Sequence, residues 1–256
     1  MNYFNYINQK LRVENLSILN ITSKIKTPFY LYSENQIKRN YIDFEKIFSK
    51  IKPLICFSVK SNSNLSILKM LGKLGSGADV VSGGELLKAL KAGIKPKKIV
   101  FSGVGKTEDE LYLAVKKNIL LINCESESEA ILLDRIARRL NKKVSIGFRI
   151  NPNIDAKTHK NISTGKADNK FGISIKNFLN FSKSIKKHKN INLKAVSVHI
   201  GSQILQESPF NKTLTVLSNL VKRLNVKLEY IDLGGGFGIN YFKKDKPISL
   251  KKYSDR

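Results

Sequence analysis

From residue 54 onward the chain alternates short apolar runs with amphipathic stretches, and this alternation restricts the fold more than any other feature. The apolar runs end near Val59, Val81, Ser102, Asn123, Ile150, Ile200 and Leu233. Between them, at 65–74, 84–92, 108–117, 126–141, 175–187 and 209–224, apolar residues recur at helical spacing. A helix after each strand carries the chain back to the end where the next strand starts, so the strands run parallel with helices packed outside them. A doubly wound sheet and a TIM-type (β/α)8 barrel both meet this pattern, and the repeat count favours the barrel. Only seven strands are counted, however, and a seven-stranded barrel leaves two edges with unpaired backbone groups. The expected fold is therefore an incomplete α/β barrel of about seven of eight strands, with the eighth beyond residue 256. The last residues, LKKYSDR, read as the start of another helix.

Upstream of the repeat the signals are weaker. Residues 1–26 show no clear periodicity and are expected to form an extended arm. The run TPFYLY at 27–32 is expected to be a strand begun by Pro28, and Ser33 to cap a helix reaching about Ile51. Ile37, Tyr41, Phe44, Ile47 and Phe48 form its apolar stripe. The division is thus an arm at 1–26 and a barrel at 27–256.

Two strand ends carry candidate chemistry. LICFSVKSN, at 54–62, is an apolar strand that stops at Lys60, which places an amine at the carboxyl end of a parallel strand, where ligands of such folds bind. IDLGGGFGI, at 231–239, ends a strand in Gly234, Gly235 and Gly236, a turn able to present bare backbone N–H groups to a phosphate. An amine and a phosphate cradle on one face describe a pocket for pyridoxal phosphate, with Lys60 forming the Schiff base. Asp79 and Ser82, in GADVVSGGEL, face the same end, and Glu85 reads as a first-turn carboxylate. Arg149, in FRINP, needs an anionic partner if it is buried, and reads equally well as a surface residue. His199 and Ser202, in SVHIGSQI, are candidates to stack on the cofactor ring and to join the phosphate cradle. By type alone a strand histidine is also a packed core residue. The connection at 151–174 has no regular pattern, and loops of that length tend to be functional.

Composition narrows the function classes. A formal charge of +26 raises nucleic-acid binding first. The lysines are spread over the whole chain, Asn and Ile are also abundant, and no RNP, helix-turn-helix or zinc-finger spacing occurs, so no specific nucleic-acid partner is expected. Cys56 and Cys124, each inside an apolar run, read as reduced core thiols. No Cys/His cluster has metal-ligand spacing, and there is no Walker lysine motif or G-x-S-x-G elbow. The amino terminus lacks the apolar stretch of a signal peptide, and no run approaches the ~20 residues of a membrane span. No membrane partner is expected, and the cytoplasm is the expected location.

Taken together, these stretches resemble the fold-type III pyridoxal-phosphate decarboxylases, whose barrels are of the alanine racemase-like type, and within them the diaminopimelate decarboxylase group. The resemblance runs from TPFYLY to DLGGGFGI. FSVKSN is similar to the family's Schiff-base lysine motif, which implies Lys60 as cofactor anchor. HIGSQI is similar to the motif whose histidine stacks on the pyridine ring and whose serine approaches the phosphate, implying His199 and Ser202. GGGFG resembles the phosphate loop, implying Gly234, Gly235 and Gly236. The TG and KFG pattern of THKNISTGKADNKFGI resembles diaminopimelate rather than ornithine or arginine decarboxylases. The resemblance implies pyridoxal-phosphate-dependent decarboxylation of meso-2,6-diaminopimelate to L-lysine and CO2 by a homodimer. An ornithine- or arginine-type decarboxylase, or a non-catalytic pyridoxal-phosphate-binding barrel, shares the lysine anchor. Three family features have no counterpart: the carboxy-terminal β domain, the EPGR-type segment and the CESGD-type motif, whose cysteine enters the partner's active site. The 256-residue chain alone is therefore expected to be inactive.

Overall fold

A computed structural model of the chain describes residues 3–159, 162–166, 170–241 and 246–255. The repeat folds as its pattern predicts. Strands β4 (Cys56–Ser58), β5 (Gly77–Val80), β6 (Ile99–Phe101), β7 (Leu121–Cys124), β8 (Val144–Asn151), β10 (Ile191–Ser197) and β11 (Tyr230–Asp232) pair in parallel in that order. A two-residue strand, β9 (Ile173–Ser174), adds a parallel rung beside the end of β8. The sheet is curled. Asn123 on β7 donates from Nδ2 to Asp232 on β11 at 2.9 Å, although β8 and β10 lie between them. The result is the greater part of a barrel, ending at β4 and β11, with no ladder joining these two among the described residues.

Helices α3 (Leu65–Lys73), α4 (Gly83–Lys91), α5 (Glu108–Lys117), α6 (Glu127–Arg139), α7 (Ile175–Ser184) and α8 (Glu207–Lys222) cover the outside. Their bounds follow local chemistry. Ser82, Thr107 and Ser126 each accept an N–H from the glutamate three residues on, which fixes where α4, α5 and α6 begin. On α6, Ala130, Leu133, Ile136 and Ala137 are buried at helical spacing against the sheet. Phe148 of β8 packs on Phe178 and Phe181 of α7, both centroid separations being 5.4 Å. At period two the strands' other face looks into the barrel. Its lower layer is apolar, with Cys56, Val100, Leu121 and Ala195. The layer nearer the carboxyl ends is polar: Ser58, Asp79, Ser102, Asn123, Arg149 and Asp232. A polar layer at that end forms the floor of a cleft.

Two expectations upstream do not hold. Met1 and Asn2 lie outside the described residues, and residues 3–26 are not an extended arm. They form an antiparallel meander of β1 (Phe4–Ile7), β2 (Lys10–Val13) and β3 (Leu16–Ser17), followed by a short helix α1 (Ile18–Thr22). Asn8, Gln9 and Glu14, all at positive φ, make the turns, a signal that the weak periodicity hid. Conversely, 27–32 is not a strand. Its composition suits one, but among the described residues no strand pairs with it, and Tyr30 is 90% exposed. Helix α2 (Glu34–Ile47) starts at Ser33 as expected but ends earlier than Ile51. Glu14 accepts from the Ser33 hydroxyl and from Asn35, and so ties the meander to the start of α2. The terminal one-turn helix α9 (Leu250–Ser254) packs Tyr253 among Phe48, Phe210 and Phe237. Among the described residues no helix is long and apolar enough to cross a membrane.

Candidate active site

The carboxyl ends of the parallel strands bring most of the sequence candidates into one cleft. Lys60 sits in a 3-10 turn, Val59–Ser61, that follows β4 and leaves it exposed. Its ammonium lies near enough to favour the charged form of Asp79 and to disfavour that of His199. Asp79 accepts from the Ser102 hydroxyl at 2.7 Å and from the Ser58 hydroxyl at 3.4 Å. Burial raises its carboxyl to about 6, and the neighbouring Asp232 adds to the rise, while the Ser102 bond and Lys60 oppose it.

His199 follows β10. Its Nδ1 accepts the Gly235 N–H at 3.3 Å, which assigns the ring proton to Nε2. Burial, then the charges of Arg149 and Lys60, lowers its pKa to about 4, so the ring is neutral at neutral pH. A neutral ring can stack flat on a cofactor without stranding a charge beneath it.

The glycine turn is pressed onto the end of β10. A Cβ at Gly236 would collide with the Gly201 carbonyl and one at Gly234 with the Val198 carbonyl, whereas at Gly235 nothing lies within 4 Å. Gly234 and Gly236 also have φ of +64° and +96°, which side chains resist. The expectation of a wholly bare turn needs amendment. Gly234 N–H is spent on Asp232 Oδ1 at 2.8 Å and Gly235 N–H on His199, whereas no hydrogen bond among the described residues uses the amides of Gly236 and Phe237. Two unused backbone donors at a strand end suit a phosphate. Ser202 is nearby but exposed. Its backbone is fixed by Ile162 O and the Thr158 hydroxyl, and its own hydroxyl makes no hydrogen bond to the glycine turn among the described residues.

Arg149 is partly buried, its side chain 11% exposed, and has an anionic partner. That partner is Glu125, at 3.1 Å, which the sequence reading did not single out. Asp232, Asn123, Ser102 and Ser58 were also missed. They form a continuous chain with Asp79 across the barrel floor, with Asn123 Nδ2 donating to both Ser102 and Asp232. The available signal was positional, since each occupies the inward phase at the end of its strand. Of the long loop, Lys160, Asn161 and residues 167–169 lie outside the described residues. Its Thr164, Gly165 and Phe171 are placed beside β8 and β10. Among the described residues no group of three or more His, Cys, Asp or Glu is placed to hold a metal ion.

Comparison with known proteins shows the family of the chain. Residues 34–256 match the family model described as "Pyridoxal-dependent decarboxylase, pyridoxal binding domain". The chain belongs to this decarboxylase family. Within the family it is 42% identical over 99% of its length to a diaminopimelate decarboxylase of Aquifex aeolicus, covering 60% of that protein. It is 47% identical over 90% of its length to one of Helicobacter pylori, covering 57%. A solved diaminopimelate decarboxylase from M. jannaschii, in co-complex with L-lysine, superposes with a TM-score of 0.90 at 34% identity, over 99% of this chain and 61% of that one. The Helicobacter pylori enzyme complexed with L-lysine gives 0.87 at 44% identity, over 93% and 61%. The chain thus spans about three-fifths of the length of these relatives, and the incomplete α/β barrel is the pyridoxal-binding part of the decarboxylase fold.

Proposed function

We propose that the chain is the cofactor-binding barrel of an enzyme that converts meso-2,6-diaminopimelate to L-lysine and CO2, with Lys60 as the covalent anchor for pyridoxal phosphate. The observation that carries the reading is the convergence of Lys60, Asp79, His199 and the Gly234–Gly236 turn at one cleft, in a chain whose relatives of 38–47% identity are named diaminopimelate decarboxylases. Bound there, pyridoxal phosphate supplies an electron sink for the pair left when a substrate carboxylate departs as CO2. The protein's residues have distinct tasks. Gly236 and Phe237 N–H groups would hold the phosphate, with Ser202 at its border, while Gly234 and Gly235 fix the turn through Asp232 and His199. His199, uncharged, would bear against the ring. Asp79 places a carboxyl group beside the Lys60 amine, whose charge favours the ionised form of Asp79. Arg149 acts through its neighbours. We place the enzyme in the cytoplasm, with both thiols free, and assign it a homodimeric assembly from its family resemblance.

Borohydride reduction with pyridoxal phosphate, followed by peptide mapping, tests the anchor. The label is expected on Lys60 and lost in Lys60→Ala; a label on another lysine overturns the assignment. A version extended to the length of its relatives is expected to release CO2 from meso-diaminopimelate at least tenfold faster than from ornithine. Equal turnover would move the protein to an ornithine-type specificity.

A further inference from the structure

We infer that the largely buried Glu125–Arg149 ion pair couples the loop residues Thr164, Phe171 and Gly172 to His199, so that seating these residues and binding the cofactor are one linked equilibrium. The inference rests on the proposed reading only in taking pyridoxal phosphate as the group His199 faces.

Glu125 directly follows β7 and its side chain is 7% exposed. Both of its oxygens are used: Oε1 accepts from Arg149 Nη1 at 3.1 Å, and Oε2 accepts the N–H of Gly172, in the loop, at 2.6 Å. Arg149 has two further contacts that face opposite ways. Its guanidinium lies 4.6 Å from the ring centre of Phe171, also in the loop, while Nη2 donates to the carbonyl of His199 at 3.2 Å. That same carbonyl accepts the hydroxyl of a third loop residue, Thr164, at 2.6 Å. The loop therefore grips the histidine's backbone directly, and again through the ion pair. Two largely buried charges hold each other in place, because displacing either strands the other without water. A shift of Phe171 or Gly172 is thereby passed to the peptide that carries His199, and a shift of His199 is passed back. Glu125 touches neither Lys60 nor the glycine turn among the described residues, so it is a positioning residue.

Linkage makes the coupling reciprocal: if the seated positions of Thr164, Phe171 and Gly172 tighten cofactor binding by some factor, the cofactor must favour those positions by the same factor. Two measurements read the two directions, the dissociation constant of pyridoxal phosphate by titration of its absorbance and the rate of tryptic cleavage after Lys157, Lys166 and Lys170 with and without saturating cofactor. Cofactor is expected to protect the loop in the parent protein. Phe171→Leu removes the ring under the guanidinium, from the loop side. It is expected to weaken pyridoxal phosphate by roughly three- to thirtyfold, the range typical of such coupling, and to reduce protection by a similar factor. Glu125→Gln, which keeps the shape but not the charge, is expected to do the same, with partial recovery in Glu125→Asp. Variants whose loop is cut faster while cofactor affinity and protection stay at parent values would show a purely structural ion pair and overturn the inference. If Glu125→Gln does not fold, Phe171→Leu decides alone. Failure of the proposed cofactor site is a separate result, visible as a parent protein that takes no borohydride label at Lys60.

Discussion

Gly235 and Gly236 are adjacent, share a motif and are indistinguishable in the sequence, yet their surroundings differ completely. Gly236→Ala would drive a methyl group into the Gly201 carbonyl at a φ of +96°, whereas Gly235→Ala points into open space. The first is expected to lower stability by about 2–3 kcal/mol and to abolish cofactor binding, the second to change stability by less than about 0.5 kcal/mol. Urea midpoints and cofactor titration check both. A similar contrast governs titration. His199 has a folded pKa of about 4 against an ordinary 6.5, so below 6.5 the unfolded chain takes a proton that the fold refuses, and stability falls on acidification. Asp79 has a folded pKa of about 6 against 3.8, so between those values the fold takes the proton first and acidification restores stability. The two slopes largely cancel between about pH 4 and 6. Removing the imidazole in His199→Gln unmasks Asp79, and the variant is expected to gain on the order of 2 kcal/mol relative to the parent between pH 6.5 and 4.5. Parallel urea midpoint shifts in the two proteins across that interval would contradict it. Lys60, His199 and the glycines were legible because each ends an apolar run with a residue that the run does not need. Glu125, Asn123 and Asp232 were not, since their roles depend on which strands the curl of the sheet brings together.

Helix boundaries were legible because they depend on bonds within four residues. Ser82-x-x-Glu85, Thr107-x-x-Glu110 and Ser126-x-x-Glu129 repeat one capping pattern at three successive turns, and α4, α5 and α6 start there. What the pattern hides is that the three glutamates do unequal work. Glu85 returns to the N–H of Val81, and Glu110 to those of Thr107 and Gly83. Glu129 bonds the Glu125 N–H and is also the ion-pair partner of Lys106, whose side chain is 1% exposed. Among the described residues Lys106 otherwise donates to the carbonyls of Gly103 and Asn123 and lies over the Phe101 ring. Glu129→Gln is thus expected to destabilise by about 3–5 kcal/mol, since it leaves a buried ammonium without a counter-charge, and Glu85→Gln by about 1 kcal/mol. Denaturant titration separates the two, and equal losses would mean that water reaches Lys106. The segments misread in sequence, 3–26 and 27–32, are those where strand identity depends on a partner rather than on local composition.

The whole molecule exposes more surface than a compact chain of its mass should. Its accessible area is 15642 Å², whereas a folded monomer of 28.9 kDa has about 11,400 Å². Part of the excess lies along the ends of the curled sheet. Leu54 leading into β4, and Tyr230 and Ile231 on β11, are 41%, 39% and 51% exposed. Part lies on the amino-terminal meander and α1, where Tyr6, Leu16 and Leu19 are 72%, 58% and 61% exposed. Open strand edges beside apolar side chains favour pairing with another chain. Opposing this is the net charge of +26, whose self-repulsion is long-ranged only while salt is low. At about 20 mM salt the screening length is roughly 20 Å and like-charged chains are held apart; near 300 mM it is about 6 Å, shorter than the approach needed for edges to pair. The 256-residue chain on its own is therefore expected to sediment as a monomer that binds an apolar dye at low salt, and to self-associate as salt is raised. Sedimentation velocity across that range, with dye fluorescence in parallel, measures both arms. A chain that stays monomeric at every salt concentration, excludes the dye and melts in one sharp transition would show that the β4 and β11 edges are closed in solution.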